Sequence, residues 1–300
     1  MKKAPDMLAS SASRRDFARD LGGCRLQLVD AQATRRRDLA AVLEFSAGRR
    51  LGRRRLAPNG YRAAEHGSAR LLSRARVTDD LMTLEVSRPP GFDYRPGQHV
   101  KLGLAGLRRT YSLVSAPHQD HLEFFVEVFP QGRLSQRLRT LEPGAPMVVR
   151  DRPRGSLRVD ERYRNQLLIA TVTGIAPYVS FARHHLHARS NDRSRRRFVI
   201  LHGASFADEL GYLEELSAAA ARHPQTVAYH PTVSRPESSR NAGWTGLVGR
   251  VESHLDTLLE RHALSRNDTA AFVCGNPDMV RSVAGSLRRR GFTTHTEPFE

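Results

Sequence analysis

The hydrophobic residues between positions 67 and 150 come in short runs that are separated by glycine and proline. Leu81–Val86 stops before Pro89-Pro90-Gly91, and His99–Leu104 starts after Arg95-Pro96-Gly97. Short runs with turn residues between them are typical of antiparallel β-structure. We therefore predict a small barrel or sandwich with strands at Leu81–Val86, His99–Leu104, Arg109–Ser115, Leu122–Phe129 and Met147–Arg150.

Beyond Asn165 the pattern changes, because apolar runs alternate with longer stretches that suit helices. Such alternation indicates right-handed crossovers and a parallel sheet. The predicted fold class is α+β in two domains, with an antiparallel β-barrel at residues 67–162 and a parallel α/β domain at residues 163–300. The predicted strands of the second domain are Leu167–Val172, Phe198–Leu201, Thr226–Val233 and Ala270–Cys274, and its predicted helices are Ala176–Ala188, Asp208–Arg222, Val248–His262 and Met279–Arg289.

The composition fits two domains. A chain of 300 residues is longer than one hydrophobic core usually spans. No run approaches the roughly 18 consecutive apolar residues of a membrane-spanning helix. The two cysteines, Cys24 and Cys274, are too few for a disulfide framework, a thiolate zinc site or an iron–sulfur cluster. We therefore expect no metal, and a protein suited to the reducing cytoplasm.

The charge is the unusual global property. The formal net charge is +17, and residues 1–66 alone hold 15 Lys and Arg against 7 Asp and Glu, a net charge of +8. Arginine clusters interrupt any apolar period in that segment, so we predict a basic, disordered extension. A basic surface binds nucleic acid, anionic lipid or an acidic protein, and an ordinary solvated arginine-rich surface is the alternative.

Candidate chemistry lies at the strand ends of the predicted parallel sheet. Thr173-Gly174 follows its first strand, and Cys274-Gly275-Asn276 follows its last. The carboxyl ends of parallel strands face a common crevice, where small residues and helix starts admit a phosphate. Such turns also occur without a ligand, and a free cysteine is most often a small buried hydrophobic residue.

In the predicted barrel, Arg109, Tyr111 and Ser112 lie within one strand. Arginine offers a fork of donors for a phosphate, tyrosine a flat face with a hydroxyl, and serine a short donor. The alternation of a strand puts Arg109 and Tyr111 on the same face. A solvated arginine beside a core tyrosine would give the same pattern.

Six segments together resemble the ferredoxin–NADP reductase family, in particular its bacterial ferredoxin/flavodoxin reductase branch. They occur in the family's order over roughly residues 67–300, which distinguishes them from isolated short motifs. The segments are Arg95–Gln98, Arg109–Ser112, Gly132–Ser135, Ala170–Pro177, Thr232–Arg235 and Cys274–Val280.

The resemblance implies that FAD binds in the barrel. Arg109 would hold the flavin pyrophosphate, Tyr111 would contact the ribityl chain and the isoalloxazine, and Ser112 would hydrogen-bond the flavin N5. A short helix opening at Gly132 would present its N–H groups to the pyrophosphate. The residues so assigned to FAD are Arg109, Thr110, Tyr111, Ser112, Gly132, Leu134 and Ser135.

The resemblance also implies that NADPH binds on the α/β domain. Thr173 and Gly174 would cradle its pyrophosphate, and Cys274 with Gly275 would lie beside the nicotinamide. Phe299 would cover the flavin ring, so that Ser112, Cys274 and Phe299 are the predicted catalytic residues. The residues assigned to NADPH are Thr173, Gly174, Ser205, Ser234, Arg235, Arg250, Cys274, Gly275, Asn276 and Met279, of which Ser234, Arg235 and Arg250 would bind the 2′-phosphate.

The chain also departs from the family's pattern. Val172 stands where a glycine is usual before Thr-Gly, and Ser205 stands where an additional arginine can occur. The chain ends in Phe299-Glu300 in place of a Tyr-Trp pair. These departures bear on the binding and access of the nicotinamide nucleotide.

The implied activity is electron transfer between NADPH and a small acidic carrier, either ferredoxin or flavodoxin. One alternative is the reductase component of a multicomponent oxygenase that uses a separate ferredoxin, because two cysteines exclude a built-in iron–sulfur domain. Genomic neighbours would separate these two. Another alternative is nucleic-acid binding through residues 1–66, although that segment holds only three aromatic residues, Phe17, Phe45 and Tyr61. A gel shift at low salt would test it.

Overall fold

The structure is a computed structural model, and it describes residues 67–150, 152–188 and 196–299. These residues belong to one compact unit that contains two six-stranded sheets. The predicted basic extension at residues 1–66 lies outside the described residues. In the part of the chain that the structure describes, no helix has the length and apolar character needed to cross a membrane.

The first sheet is antiparallel throughout and has the strand order β4-β3-β6-β1-β2-β5. It curls into a near-barrel around buried residues such as Leu84, Leu102 and Phe124. The antiparallel barrel predicted from the sequence is thereby confirmed. Its elements are β1 (Gly67–Arg76), β2 (Leu81–Ser87), β3 (His99–Leu104), β4 (Leu107–Ser112), β5 (His121–Glu127), α1 (Arg133–Arg139) and β6 (Pro146–Val149).

The second sheet is parallel throughout and has the order β10-β9-β8-β7-β11-β12. Strands β8, β7 and β11 are buried on both faces, because α2 and α3 cover one face and α4 and α5 cover the other. The predicted parallel α/β domain is thereby confirmed. Its strands are β7 (Asn165–Thr171), β8 (Arg197–Ala204), β9 (Val227–Val233), β10 (Leu247–Val248), β11 (Thr269–Gly275) and β12 (Thr293–Pro298), and its helices are α2 (Ala176–Ala188), α3 (Leu213–Arg222), α4 (Leu255–Arg261) and α5 (Pro277–Arg289).

Two helices are shorter than the sequence predicts. The helix predicted from Asp208 starts at Leu213, because the chain first makes a 3₁₀ turn and then passes through Tyr212 at φ 63°. The helix predicted from Val248 starts at Leu255, since Gly249 adopts φ 121° and a 3₁₀ turn follows it. Positive φ is incompatible with a right-handed helix, so both starts move toward the carboxyl end.

Buried polar contacts fix the barrel against the α/β domain. Arg183 of α2 forms ion pairs with Glu123 of β5 and Glu215 of α3. The hydroxyl of Tyr212 donates to Glu123 Oε1 at 2.8 Å. Because Glu123 comes from the barrel and its partners Arg183 and Tyr212 come from the α/β domain, these contacts join the two domains.

Candidate functional site

A cleft of about 460 Å³ lies where the barrel meets the carboxyl end of the parallel sheet. One wall is formed by β4, the end of β5 and the start of α1. The other wall is formed by the start of α2 and the end of β12. The lining residues are His99, Arg109, Thr110, Tyr111, Ser112, Phe125, Glu127, Phe129, Gly132, Arg133, Leu134, Ser135, Thr173, Ala176, Glu297, Pro298 and Phe299.

Strand β4 supplies the predicted Arg-Thr-Tyr-Ser segment to this cleft. Its register places Arg109 and Tyr111 on one face of the sheet and Thr110 and Ser112 on the other. Tyr111 packs edge-on against Phe124, with 6.4 Å between the ring centroids. Burial raises the pKa of Tyr111 to about 12, against the opposing effect of Arg109, so its hydroxyl stays protonated and can donate.

The start of α1 forms a recess in the same wall. Gly132 is the residue before the helix, and no side chain caps the first turn. A Cβ at this position would collide with Ser135 Oγ and press on the backbone of Phe129. A glycine therefore leaves room for Ser135 Oγ in this recess, which lines the same cleft as Arg109. A cation, a flat aromatic residue and an open recess on one wall fit a ligand that carries both phosphate and a planar ring.

The sequence analysis missed Glu297, which joins the two walls. Ser112 Oγ donates to Glu297 Oε1 at 3.1 Å, and His99 Nδ1 lies 3.6 Å from the same oxygen. Glu297 belongs to β12 and stands two residues before Phe299, so alternation along the chain would have placed both on one side. The contact itself joins residues 185 positions apart and is a tertiary feature.

The opposite wall contains the predicted Thr173-Gly174 turn. β7 ends at Thr171, and a 3₁₀ turn spans Val172–Ile175. A Cβ on Gly174 would collide with the Cys274 carbonyl, and Thr171 Oγ1 accepts a hydrogen bond from the Asn276 backbone N–H at 2.9 Å. The loops after β7 and β11 are therefore packed directly on each other.

Two of the three predicted catalytic residues, Cys274 and Phe299, differ in whether their side chains reach the cleft. The Cys274 thiol is fully buried, and burial together with nearby Glu297 raises its pKa well above the ordinary value. The thiol is therefore neutral, and it does not line the cleft. Phe299 does line the cleft, and its backbone N–H donates to the Gly275 carbonyl at 2.9 Å. Gly275 has φ 127°, which favours glycine.

The residues predicted for the 2′-phosphate lie outside this cleft, since Ser234 and Arg235 follow β9 and Arg250 follows β10. Ser234 N–H donates to the Ala204 carbonyl at 2.9 Å, and Arg235 stacks over the ring of Phe206 with 5.4 Å to its centroid. Arg250 is exposed and starts the 3₁₀ turn Val251–His254.

A residue that the sequence analysis missed connects these loops. Asn241 is buried, and its side-chain amide donates to the carbonyls of Ser205 and Arg235 at 3.1 and 2.8 Å. It therefore holds the loop that carries Arg235 against the end of β8.

The remaining predicted residues form the start of α5. Asn276 caps the helix, because its side-chain oxygen accepts from the backbone N–H groups of Asp278 at 2.9 Å and Met279 at 3.3 Å. The Met279 side chain is buried in the core under the helix.

Comparisons with known proteins agree with this architecture. Residues 68–158 match the oxidoreductase FAD-binding domain, and residues 168–285 match the oxidoreductase NAD-binding domain. Ferredoxin–NADP reductase A of Sorangium cellulosum is 32% identical over 228 residues, which cover 72% of this chain and 80% of that protein. Flavodoxin/ferredoxin–NADP reductase of Escherichia coli is 32% identical over 214 residues, which cover 68% of this chain and 82% of that protein.

A solved structure shows the same fold. The ferredoxin NADP⁺ reductase of Neisseria gonorrhoeae, crystallised with FAD and NADP, superposes with a TM-score of 0.68 at 24% identity, over 78% of this chain and 99% of that one.

The antiparallel barrel, the parallel sheet and the two domain matches define an FAD-dependent oxidoreductase of nicotinamide nucleotides. More narrowly, the chain belongs to the ferredoxin/flavodoxin–NADP reductase family. The predicted fold, enzyme class and cofactors are confirmed, whereas the roles of individual residues stay predictions.

Proposed function

We propose that the protein transfers electrons between NADPH and ferredoxin or flavodoxin by way of FAD held in the cleft. The observation that carries this proposal is the placement of the Arg109–Ser112 strand opposite Thr173 and the Glu297–Phe299 segment across one cleft. Bound FAD supplies the redox chemistry, because it accepts two electrons together and releases them singly. The protein's task is to bind, orient and shield the reacting groups.

On the barrel wall, the residues divide into anchoring and orienting groups. The exposed Arg109 guanidinium binds the flavin pyrophosphate, with the recess at Gly132, Leu134 and Ser135 beside it. The protonated Tyr111 hydroxyl donates to the flavin, and Thr110 lies between the two. The Ser112 hydroxyl has a single hydrogen, which it donates to Glu297 Oε1 at 3.1 Å in the structure, and it would donate toward the flavin ring edge by releasing Glu297.

On the α/β wall, binding is divided among the strand ends. Thr173 and Gly174 face the NADPH pyrophosphate, and the backbone of Gly275, bonded to Phe299, lies beside the nicotinamide. The 2′-phosphate binds at Ser234, Arg235 and Arg250, with Ser205 nearby. Cys274 contributes through its backbone, since its thiol is buried.

The electron carrier is proposed to be acidic. The chain has a formal net charge of +17, and such a surface attracts an acidic partner in a salt-sensitive encounter.

An anaerobic NADPH titration of the purified protein tests the proposal. We expect a yellow protein whose flavin absorbance bleaches on addition of NADPH. A second measurement follows cytochrome c reduction with and without added ferredoxin or flavodoxin, at low and high salt. A colourless protein that FAD does not reconstitute would contradict the cofactor assignment. Bleaching without any acceleration by either carrier would contradict the proposed electron acceptors and leave the cofactor assignment intact.

A further inference from the structure

Val172 occupies an unfavourable backbone conformation at the start of the loop that carries Thr173 and Gly174. Its φ is 43°, in the left-handed region that favours glycine. A β-branched residue is among the least suited to this region, because its side chain crowds the backbone. Such a conformation persists only where surrounding contacts fix it.

The contacts that fix it come from a buried histidine and a partly buried tyrosine on neighbouring strands. His202 of β8 is fully buried, and its Nε2 lies 3.1 Å from the Val172 carbonyl oxygen. Its Nδ1 lies 3.1 Å from the hydroxyl of Tyr229 on β9. His202 and Tyr229 are therefore linked to Val172 in one hydrogen-bonded row.

The chemistry of the partners assigns the protons in this row. A carbonyl can only accept, so His202 Nε2 carries the hydrogen and donates to Val172. Burial lowers the pKa of His202 to about 4, which keeps the ring neutral and leaves Nδ1 as an acceptor. Tyr229 therefore donates its hydroxyl hydrogen to Nδ1 and fixes both the tautomer and the ring orientation.

The hydrogen bonds of His202 and Tyr229 constrain the peptide group between Val172 and Thr173. In a trans peptide the carbonyl and the following N–H point in opposite directions. Because the Val172 carbonyl is held toward His202, the Thr173 N–H is directed away from it. Relaxing Val172 to negative φ would rotate this peptide and redirect that N–H. The rest of the loop has little freedom, since Gly174 is packed on the Cys274 backbone.

We propose that His202, oriented by Tyr229, is a positioning residue that presets the Val172–Thr173 peptide to bind the pyrophosphate of NADP(H). This rests on the function proposed above. His202 then compensates for the unfavourable φ of the β-branched Val172. A glycine at this position would adopt the same φ without a supporting hydrogen bond.

The test measures NADP⁺ affinity of the FAD-loaded protein by calorimetry for the parent and for His202→Leu, Tyr229→Phe, Val172→Gly and the double variant Val172→Gly/Tyr229→Phe. Loss of one hydrogen bond should weaken NADP⁺ binding about fivefold in Tyr229→Phe, and loss of both should weaken it roughly tenfold or more in His202→Leu. The double variant should recover most of the loss seen in Tyr229→Phe, relative to Val172→Gly, because a glycine holds this φ without support.

Two controls separate positioning from general damage. Tyr163→Phe also removes a partly buried tyrosine hydroxyl, which contacts Thr293 Oγ1 at 2.7 Å away from this loop, and should leave NADP⁺ affinity unchanged. Adenosine 2′-phosphate carries no pyrophosphate and should bind to all variants alike.

The outcomes are distinguishable. Parent-like NADP⁺ affinity in both Tyr229→Phe and His202→Leu would overturn the inference alone, and so would a double variant that recovers nothing. If His202→Leu does not fold, Tyr229→Phe and its double variant decide the matter. A parent protein that binds no NADP⁺ would overturn the proposed function itself and this inference with it.

Discussion

At the scale of single residues, the two arginines proposed to bind phosphate lie in different places. Arg109 lies in the cleft on the barrel wall, whereas Arg235 lies at the end of β9 and outside the cleft. Each guanidinium presents a permanent charge and a fork of donors suited to phosphate. The two residues therefore give predictions that do not overlap.

Arg109→Ala should weaken FAD binding without changing NADP⁺ affinity. The substitution removes a charge-assisted hydrogen bond, commonly about 1.5–3 kcal/mol, which is roughly tenfold to a hundredfold in dissociation constant. Flavin retained after dialysis against increasing salt measures the effect. The neighbouring exposed Arg108→Ala is the matched control and should keep its flavin. Equal retention by parent and Arg109→Ala would remove Arg109 from the pyrophosphate site.

Arg235→Ala should lower kcat/KM for NADPH roughly tenfold to a hundredfold and leave NADH nearly unaffected, because NADH lacks the 2′-phosphate. Measuring kcat/KM of the parent and of Arg235→Ala with NADPH and with NADH tests this prediction. Arg222→Ala removes another exposed arginine of the same domain, on α3, and should change neither value. Equal losses with NADPH and NADH would mean that Arg235 supports the loop and does not bind the phosphate.

At the scale of elements, the candidate site residues of the α/β domain lie at strand ends and helix starts. The loop after β7 and the start of α5 are joined by the bond from Asn276 N–H to Thr171 Oγ1. The Asn276 side chain also caps α5 over a buried face of Met279, Val280 and Val283. Asn276 thus fixes the first turn of α5 and ties the helix start to the end of β7.

Asn276→Ala should reduce the free energy of unfolding by about 1 kcal/mol, since two backbone N–H groups lose their acceptor. Asn276→Asp and Asn276→Ser keep a capping oxygen and should recover most of this loss. Urea denaturation of the three variants measures it. A parent-like midpoint for Asn276→Ala would show that water replaces the cap without cost.

At the scale of the whole molecule, stability depends on polar contacts between the barrel and the α/β domain. The side chains of Arg183 and Glu123 keep only 19% and 11% of their surface exposed. A charge left alone in such a place is costly, because neither water nor a partner compensates for its burial.

Arg183→Met should therefore lower the free energy of unfolding by about 3–5 kcal/mol. This is the usual cost of removing one partner of a buried ion pair and leaving the other charge unpaired. Chemical denaturation measures the loss. Arg183→Met/Glu123→Gln should recover part of it, because no unpaired charge then remains at Glu123. Asp79→Asn breaks the exposed Arg76–Asp79 pair on the barrel and should leave stability nearly unchanged. A loss in Arg183→Met no larger than in Asp79→Asn would contradict the assigned burial cost.

Local patterns by themselves determined the order and type of most elements of this protein. α2 has the predicted bounds Ala176–Ala188, and β3 has the predicted bounds His99–Leu104, because side-chain periodicity and flanking turn residues mark both. β1 and β12 escaped prediction, since β1 buries only Ala69 and Leu71 and β12 buries no residue fully. α1 was anticipated only through the family resemblance at Gly132.

The tertiary structure alone decided which distant groups meet. Ser112 and Glu297 are 185 positions apart, and Val172, His202 and Tyr229 come from three separate segments. No local period encodes such contacts, because they depend on strand order, register and the packing of the barrel on the parallel sheet. The sequence therefore identified the strand ends as candidate sites. Only the fold determined that the His202 ring contacts the Val172 carbonyl and that Glu297 meets Ser112.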